Sequence, residues 1–182
     1  MQEENSQIVV KPLKRFIARD IFLNYHYLHY FPKGQPLRTY QFVRNGEMIG
    51  VFAVKSPHGR INIEERGKIL KPVELMRFWL KENEPNLATQ CMGKLLRFLE
   101  SIGYEYVVSY ACECSHQGII YKASNFVYEG ETDGNSDVRI GTLNNKGQDL
   151  HASHSKYKFT YKLRIRSGIS KIARRGQSTL GT

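Results

Sequence analysis

Cysteine is scarce in this chain of 182 residues, which contains only three of them. An odd number of cysteines argues against a disulfide framework and favours a reducing compartment such as the cytoplasm. The N-terminal segment MQEENSQ lacks the apolar core of a secretory signal, and no apolar run approaches the length that spans a membrane. These absences predict a cytoplasmic protein that has no membrane partner.

Acidic residues are missing from the C-terminal part of the chain. From Lys156 onward there are eight basic residues and no acidic one, which leaves only +2 of the net charge of +10 for the first 155 residues. Such asymmetry favours a polyanionic partner, because neutralised phosphates release their condensed counterions. The alternative is a solvated basic tail. The candidate phosphate contacts are Lys156, Lys158, Lys162, Arg164, Arg166, Arg174 and Arg175.

The composition, with 41% hydrophobic and 24% charged residues, is that of a soluble globular protein. Periodicity and turn residues predict one domain over residues 1–166 and a basic, mobile tail over 167–182. The predicted elements are a helix over 13–24, a hairpin turn at Asn45–Gly46, a strand over 73–80, a helix over 87–101 capped by Asn86, a strand over 105–111, a helix over 117–126, and strands over 127–131, 137–142 and 156–166. The fold class is therefore α/β with a mixed sheet.

The amphipathic segments also predict which side chains face the core. On the first helix these are Leu13, Phe16, Ile17 and Ile21, and on the helix over 117–126 they are Ile119, Ile120, Ala123 and Phe126. In the last strand apolar and basic residues alternate, which predicts one core face and one basic face. The basic residues could alternatively serve only to block pairing at a sheet edge.

Polar side chains gather between Ser109 and His116, where an apolar strand ends and a helix begins. In open α/β sheets ligands bind beyond the carboxyl ends of the strands, and loops at these ends carry reactive groups. The spacing of Cys112, Cys114 and His116 is similar to that of metal ligands, but no fourth ligand follows at a suitable distance. We therefore favour a thiol-lined pocket wall and predict no metal site.

The order of helices and strands resembles the GNAT acyltransferase fold. The segment Gln90-Cys91-Met92-Gly93 is similar to the Gln/Arg-x-x-Gly start of that fold's donor-binding helix. The resemblance implies that Gln90, Gly93 and Lys94 bind the pyrophosphate of a donor, aided by backbone N–H groups. It also places Tyr121 where this fold often uses a tyrosine to protonate a leaving group. The alternatives are a plain core helix and a buried aromatic side chain.

Three segments together resemble the bacteriophage Mom DNA-modification proteins. They are NYHYLHYFPKG, ELMRFWL with its following helix, and SYAC followed by HQGIIYKASNFVYEG, all within residues 20–130. Mom proteins are associated with adding a carbamoylmethyl group to N6 of adenine in phage DNA, which protects the DNA from restriction. The resemblance implies a transferase acting on double-stranded DNA in the host cytoplasm. It implies a catalytic site that comprises His26, Tyr27, Arg77, Tyr110, Cys112, Glu113, His116 and Tyr121.

Two of these residues could have a role in stability instead of a role in the site. Arg77 interrupts an apolar strand, where a charge is costly unless it is paired or faces a crevice. In a regular strand Glu74 lies on the opposite face, so the two meet only if a β-bulge intervenes. The alternative to a site role is then an internal ion pair. For His26, which lies three residues before His29, the alternative is a hydrogen-bonded structural histidine.

The chain departs from the Mom pattern at one important position. The family's Asp after Tyr-Ala is Cys112 here, its Pro is Glu113, and its Trp is Phe126. Either Glu113 supplies the carboxylate or the chemistry is altered or lost. Three functions stay open: modification of adenine N6, acyl-CoA-dependent N-acetylation of a small amine, protein or RNA, and DNA binding without catalysis.

The donor is also left open. An acyl-CoA fits the fold, whereas a glycine-derived or aminoacyl donor fits the carbamoylmethyl product better. The resemblance raises iron as a further alternative, although nothing in the sequence requires it. The oligomeric state is not predicted, and a homodimer is one alternative.

Overall fold

The computed structural model describes residues 7–32, 37–57, 63–65, 67–112, 118–132 and 156–164, with Cys112 described by its backbone alone. Three helices and nine strands lie in this part of the chain. They are β1 (Val9–Pro12), α1 (Arg15–Asn24), β2 (Arg38–Arg44), β3 (Glu47–Lys55), β4 (Glu64–Glu65), β5 (Lys68–Ile69), β6 (Pro72–Leu80), α2 (Leu87–Ser101), β7 (Tyr106–Cys112), α3 (Ile119–Ala123), β8 (Val127–Thr132) and β9 (Lys156–Lys162).

Seven of the strands form one sheet in the order β1-β2-β3-β6-β7-β9-β8, and β4 pairs with β5 separately. The pair β6–β7 is parallel, while the other neighbours are antiparallel. This arrangement confirms the predicted mixed sheet. None of the described helices is long and apolar enough to cross a membrane.

The predicted hairpin turn joins β2 to β3. Asn45 and Gly46 both have positive φ angles, 53° and 83°. Two such residues define the turn whose twist matches that of paired strands, and Asn-Gly adopts it at low cost. The hairpin carries β3 into the centre of the sheet, where Val51, Phe52 and Ala53 are fully buried.

Helices cover both faces of the sheet. On one face, which we call the α1 face, Phe22 of α1 packs in a cluster with Val51 and Ala53. On the opposite face, the α2 face, α2 and α3 cover a larger core that includes Val73, Val107 and Phe159. Each face of the central strands is thus buried by a different helix, which is why β3 reads as an uninterrupted apolar run.

The core-facing side of α1 differs from the prediction. Phe16 is 61% exposed, whereas Ala18, Ile21 and Phe22 are buried. The buried residues Ala18, Ile21 and Phe22 are spaced by three and four residues and so share one side of the helix. Phe16 comes two residues before Ala18, and at 3.6 residues per turn this puts it on the opposite side, towards solvent.

The helix predicted over 117–126 is also shorter, since α3 spans only Ile119–Ala123. Asn125 has a φ of 61°, and the Phe126 N–H donates to the Tyr121 carbonyl at 3.0 Å, which is a helix-terminating geometry. Ile119 is 70% exposed and Ala123 is exposed, so the prediction that they face the core is wrong. Tyr121 and Phe126 are the buried side chains of this segment.

The last strand lies inside the sheet. β9 pairs with β7 on one side and with β8 on the other. The alternative that its basic residues block a sheet edge is therefore wrong for Lys156–Lys162. The predicted strand over 137–142 and the tail over 167–182 lie outside the described residues.

Candidate active site

The two parallel strands at the centre of the sheet separate towards their carboxyl ends. The pairing between β6 and β7 ends at Leu75 and Ser109. Beyond these residues β6 continues along β3 to Leu80, and β7 continues along β9 to Cys112. We call the space between the separated strand ends the gap. In open α/β sheets this is where ligands bind, and a gap also joins the two faces of the sheet.

A β-bulge accompanies the separation. Ala53 pairs with Arg77 and Val54 with Leu75, so Met76 is an extra residue in β6. The bulge reverses the side-chain alternation and puts Arg77 on the α1 face, where Glu74 also lies. Sequence analysis predicted that Glu74 and Arg77 could meet only across a β-bulge, and this bulge is present.

Arg77 and its charged neighbours form a partly compensated group. The Glu74 carboxylate lies 3.5 Å from Lys55 Nζ, and both side chains are buried. Arg77 Nη1 donates to the Met76 carbonyl at 2.7 Å, while its buried Nε has no hydrogen-bond partner among the described residues. Burial lowers the pKa of Arg77, and Tyr27 and Tyr30 act against this shift. Glu74 also acts against the shift of the Arg77 pKa, so its carboxylate interacts with both Lys55 and Arg77.

Removing the Glu74 charge should destabilise the protein. In Glu74→Gln the buried Lys55 loses the carboxylate with which it pairs and Arg77 loses a favourable electrostatic interaction, and breaking a buried ion pair typically costs about 3 kcal/mol. Urea unfolding measures the difference. The matched control is Glu84→Gln, since Glu84 pairs with Arg44 at the surface and should change the free energy of unfolding little. Equal stabilities for the two variants would contradict the buried charge group.

Tyr121 approaches the gap from the α2 face. The Tyr121 and Ser109 hydroxyls are 2.8 Å apart, and Ser109 Oγ also lies 3.0 Å from the Leu75 carbonyl. Burial raises the pKa of Tyr121 to about 12, and the Ser109 hydrogen bond opposes the shift. The phenol therefore keeps its proton at neutral pH. Because Ser109 has one proton and two acceptors, it can donate to Leu75 at rest and to a Tyr121 phenolate once that forms.

Gly118 explains how Tyr121 reaches this position. It has a φ of 68°, and a Cβ at residue 118 would collide with the ring of Phe159. The absent side chain lets α3 begin directly against β9, so that Tyr121 stacks on Phe159 with ring centroids 5.1 Å apart. The close approach of α3 to the sheet thus depends on glycine at this position.

The turn after α1 brings two predicted site residues to the α1 face. His26 is buried, and its Nδ1 accepts a hydrogen bond from the Leu28 N–H at 3.2 Å. A neutral His26 therefore carries its proton on Nε2, where it can donate but not accept. The Tyr27 ring lies 4.4 Å from that of His26. Tyr27 also acts electrostatically on both Arg77 and Tyr121.

The remaining predicted catalytic residues lie on β7 or follow it. Tyr110 is half-buried on the α1 face, opposite Lys158 of β9, and Cys112 is the last residue of β7. Glu113 and His116 lie outside the described residues. The structure packs His26 against Tyr27 and brings Arg77 and Tyr121 within electrostatic range of Tyr27. It adds Lys55 and Glu74, which sequence analysis did not assign to the site, and it shows that Ser109 of the predicted polar cluster contacts Tyr121.

The donor-binding prediction needs a correction at the start of α2. The helix begins at Leu87, so the Gln90 N–H donates within the helix to the Asn86 carbonyl at 3.0 Å. The backbone N–H groups of Gln90–Gly93 are therefore not free for a pyrophosphate. The N–H groups of Ala88 and Thr89 come before the first hydrogen bond within the helix and are the ones that a ligand could use. Asn86 occupies the predicted cap position, but its side chain makes no capping hydrogen bond.

The side chains predicted to bind the donor do share one surface of α2. Gln90, Gly93 and Lys94 are spaced by three and four residues, and the guanidinium of Arg97 follows them. A Cβ on Gly93 would lie 3.7 Å from the Arg97 guanidinium nitrogens, so the glycine leaves a shallow notch beside a cation. This notch suits a phosphate-bearing donor. Arg97 was missed because its spacing from Gly93 is that of any surface residue on a helix.

The strand β9, which we call the basic strand, is less uniformly basic on its α1 face than its sequence suggests. Lys156, Lys158 and Lys162 share the α1 face with Tyr110, as their pairing with β7 requires. Lys162 forms an ion pair with Glu65 at 2.5 Å, and Thr160 donates to Glu129 at 2.9 Å. Arg164 is exposed just beyond the strand. Arg166, Arg174 and Arg175 lie outside the described residues.

Solved acetyltransferase structures share this architecture. NAA60 of Arabidopsis thaliana in complex with acetyl-CoA superposes with a TM-score of 0.61 at 16% identity, covering 86% of this chain and 99% of that one. The Salmonella typhimurium acetyltransferase that modifies the N-terminal serine of ribosomal protein L7/L12 gives a TM-score of 0.59 at 12% identity, covering 88% and 97%. The protein thus has the predicted GNAT acetyltransferase fold. No curated protein sequence matches it significantly.

The family is narrower than the fold. The sequence profile of the Mom protein family matches residues 7–175. The chain belongs to the Mom protein family. The family and the fold together confirm the resemblance found in the sequence and support the prediction of a GNAT-like transferase.

Proposed function

We propose that the protein transfers an acyl- or carbamoylmethyl-type group to the N6 amine of adenine in DNA, which protects phage DNA from restriction. The observation that carries the proposal is the match to the Mom protein family over residues 7–175. The geometry of the gap supports it. A phosphate-bearing donor at the notch beside Gly93 on the α2 face would reach through the gap towards the aromatic and cationic side chains on the α1 face.

In such a reaction each face of the sheet would bind one of the two substrates. On the α2 face, Lys94 and Arg97 would hold a phosphate-bearing donor such as an acyl-CoA, with its reactive carbon in the gap. On the α1 face, Tyr27 would form one wall for the adenine, and Arg77 would face its N6. The donor and the DNA then approach from opposite sides, so neither blocks the other.

The chemistry requires that the base leave the helix. The N6 amine is conjugated with the purine ring and is paired inside the duplex. The enzyme must therefore extrude the adenine and accept the proton that N6 loses. For acyl transfer, N6 forms a bond to the carbonyl carbon, Arg77 stabilises the oxyanion, and the carbon's bond to the leaving group breaks. Tyr121 protonates the leaving group, and Ser109 donates to the resulting phenolate.

The proton lost by N6 needs a separate acceptor. The tautomer of His26 set by the Leu28 N–H leaves it no acceptor nitrogen, and Tyr121 holds its own proton at neutral pH. Glu113 and His116 therefore stay as the candidate general bases. Glu113 would then replace the carboxylate that the family pattern has at the position of Cys112.

Nucleoside analysis tests the proposed function. DNA from cells that express soluble protein is digested to nucleosides and separated by mass. We expect a derivative of deoxyadenosine whose added mass is on the base. Unmodified deoxyadenosine, under verified soluble expression, would overturn the proposal.

An acyl-CoA-dependent N-acetyltransferase is the second candidate. It is favoured by the likeness to NAA60 of Arabidopsis thaliana, whose structure contains acetyl-CoA. Calorimetry with acetyl-CoA and an assay with and without DNA separate the candidates. Tight binding of acetyl-CoA with turnover that does not depend on DNA would favour this second function.

The basic strand predicts a salt dependence of DNA binding. Each phosphate contact contributes about 0.9 to the slope of log affinity against log salt. Changing Lys158 and Arg164 together to Gln should therefore flatten the slope by about two. The control is Lys162→Gln, whose effect should be smaller because Lys162 already pairs with Glu65. An unchanged slope in the double variant would mean that DNA binds to another surface.

A further inference from the structure

We propose that Tyr25 and Trp79 form a stacking platform for the unpaired base that neighbours the target adenine. We further propose that the exposed cations of α1 hold the DNA backbone beside it. The inference rests on the proposed function, because it takes DNA as the acceptor. It adds a DNA contact for the neighbouring base, separate from the pocket for the target adenine and from the basic face of β9.

Exposed aromatic side chains are concentrated at one place on the protein. The large aromatic side chains that are exposed in the described part of the chain are Phe16, Tyr25, Tyr27 and Tyr128. The first three belong to α1 or to the turn that follows it. Tyr25 is 67% exposed, although a ring of this size usually buries most of its area. The clustering points to a surface that is covered when a ligand binds.

Trp79 gives Tyr25 a fixed partner. The two ring centroids are 5.8 Å apart with an interplanar angle of 34°. Trp79 lies on β6, two residues beyond Arg77 and on the same face of the sheet. The platform is therefore tied to the strand that carries the central arginine of the site. Tyr27, two residues after Tyr25, acts electrostatically on Arg77, which connects the turn that carries the platform to the site.

The helix that leads to Tyr25 is basic on its exposed side. Lys14, Arg15 and Arg19 of α1 and its cap are exposed, and no ion pair involving them occurs within the described residues. Asp20 is the only acidic residue of the helix. The Arg15 guanidinium lies 5.5 Å from the centre of the Phe31 ring, which holds it beside the turn. Within the described residues, α1 thus adds basic side chains on the face that also carries Lys158.

Aromatic rings next to unpaired cations are the combination that binds single-stranded bases. Rings stack on any base, and cations follow the phosphates. An apolar protein partner would not need the cations, and a phosphate ligand alone would not need the rings. An enzyme that extrudes an adenine leaves its neighbour without one stacking partner, and the platform would replace that partner.

Fluorescence of 2-aminopurine tests the platform with the full-length protein. The probe is a single-stranded oligonucleotide of deoxyadenosines with one 2-aminopurine, whose emission falls when the base stacks. We expect quenching by the wild type and by Tyr25→Phe, which keeps the ring. In Tyr25→Leu we expect loss of quenching and about tenfold weaker binding, since each stacked base contributes on this scale. The control is Tyr128→Leu, which removes a 48% exposed ring on β8 and should leave both readouts unchanged.

The charge component has its own readout. Lys14→Gln with Arg19→Gln should flatten the salt slope by about two and keep the quenching, because the rings remain. Tyr25→Leu should leave the slope unchanged. Wild-type affinity and quenching in Tyr25→Leu, or no binding of the oligonucleotide by the wild type, would overturn the platform. If Tyr25→Leu instead changes only self-association, the rings belong to an interface between two copies.

The outcome is separable from that of the proposed function. Quenching that depends on Tyr25, together with unmodified deoxyadenosine in cells, would keep the platform and overturn the modification activity. Modified deoxyadenosine, together with wild-type quenching in Tyr25→Leu, would keep the activity and overturn the platform.

Discussion

Arg77→Ala should abolish adenine modification, with a loss of at least about a hundredfold, because removing one group that stabilises an oxyanion costs this much. The thermal midpoint should stay the same or rise, since burial of the guanidinium is unfavourable and Glu74 keeps its ion pair with Lys55 when Arg77 is removed. A loss of activity without a loss of stability is typical of a residue placed for function. Nucleoside mass spectrometry and thermal unfolding measure the two effects.

Two further variants sharpen this prediction. Arg77→Lys keeps the charge but not the planar fork, so it should retain only a small part of the activity. Arg38→Ala removes an exposed arginine of β2, which donates to the Tyr104 hydroxyl, and should leave modification intact. If Arg77→Ala keeps most of the activity, Arg77 has a structural role in the ion-pair group and no role at the reacting atoms.

Tyr121→Phe should lower the rate of group transfer by about a hundredfold or more, which is the usual contribution of a general acid. The affinity for DNA should change little, because the ring still stacks on Phe159 and Ser109 still donates to the Leu75 carbonyl. The raised pKa of Tyr121, about 12, means that no loss of rate below pH 10 should come from its ionisation. Single-turnover rates across this range test the assignment. A rate equal to that of the wild type would exclude Tyr121 as the acid.

The same pKa predicts an alkaline loss of stability. Tyr121 has a folded-state pKa of about 12 against 10.0 when unperturbed, so the unfolded state ionises first. The stabilising contribution of the neutral phenol is complete below the unperturbed pKa and is lost as the pH rises towards the folded value. Urea unfolding of the wild type and of Tyr121→Phe should therefore diverge less at high pH than at neutral pH. A constant difference at all pH values would contradict the shift.

Local patterns were sufficient to predict most of the secondary structure. The Asn45–Gly46 turn, the helical spacing of Leu87, Cys91 and Leu95, and the apolar run of β7 each depend on neighbours in sequence. The exposed Phe16 shows where this approach fails. Apolar residues occur on more than one side of this helix, and only its packing against the sheet decides that Ala18, Ile21 and Phe22 form the buried side, opposite Phe16.

The site was only partly predictable, because the position of Arg77 depends on a shift in strand register. Nothing in the sequence ELMRFWL shows that Met76 is bulged, yet the bulge puts Arg77 and Glu74 on one face. The pairing of Glu74 with Lys55 likewise depends on the alignment of two strands. The family resemblance predicts His26, Tyr27, Arg77 and Tyr121 as site residues without this information. It did not find the groups that position them.

The helix start was mispredicted for a related reason. The Gln90-x-x-Gly93 pattern locates a helix of the right kind, but the polar turn before it could end at any of several residues. In the structure Leu87 already begins α2 after the left-handed Asn86, which has a φ of 60°. The notch beside Gly93 and Arg97 is therefore formed by side chains along the helix and not by its first N–H groups.

The most direct test of this account is the nucleoside profile of DNA from cells that express the wild type, Arg77→Ala or Arg38→Ala at equal soluble levels. The account predicts a base-modified deoxyadenosine with the wild type and with Arg38→Ala, and its absence with Arg77→Ala. Unmodified deoxyadenosine in all three samples, or equal modification in all three, would contradict a modification reaction centred on Arg77 in the gap.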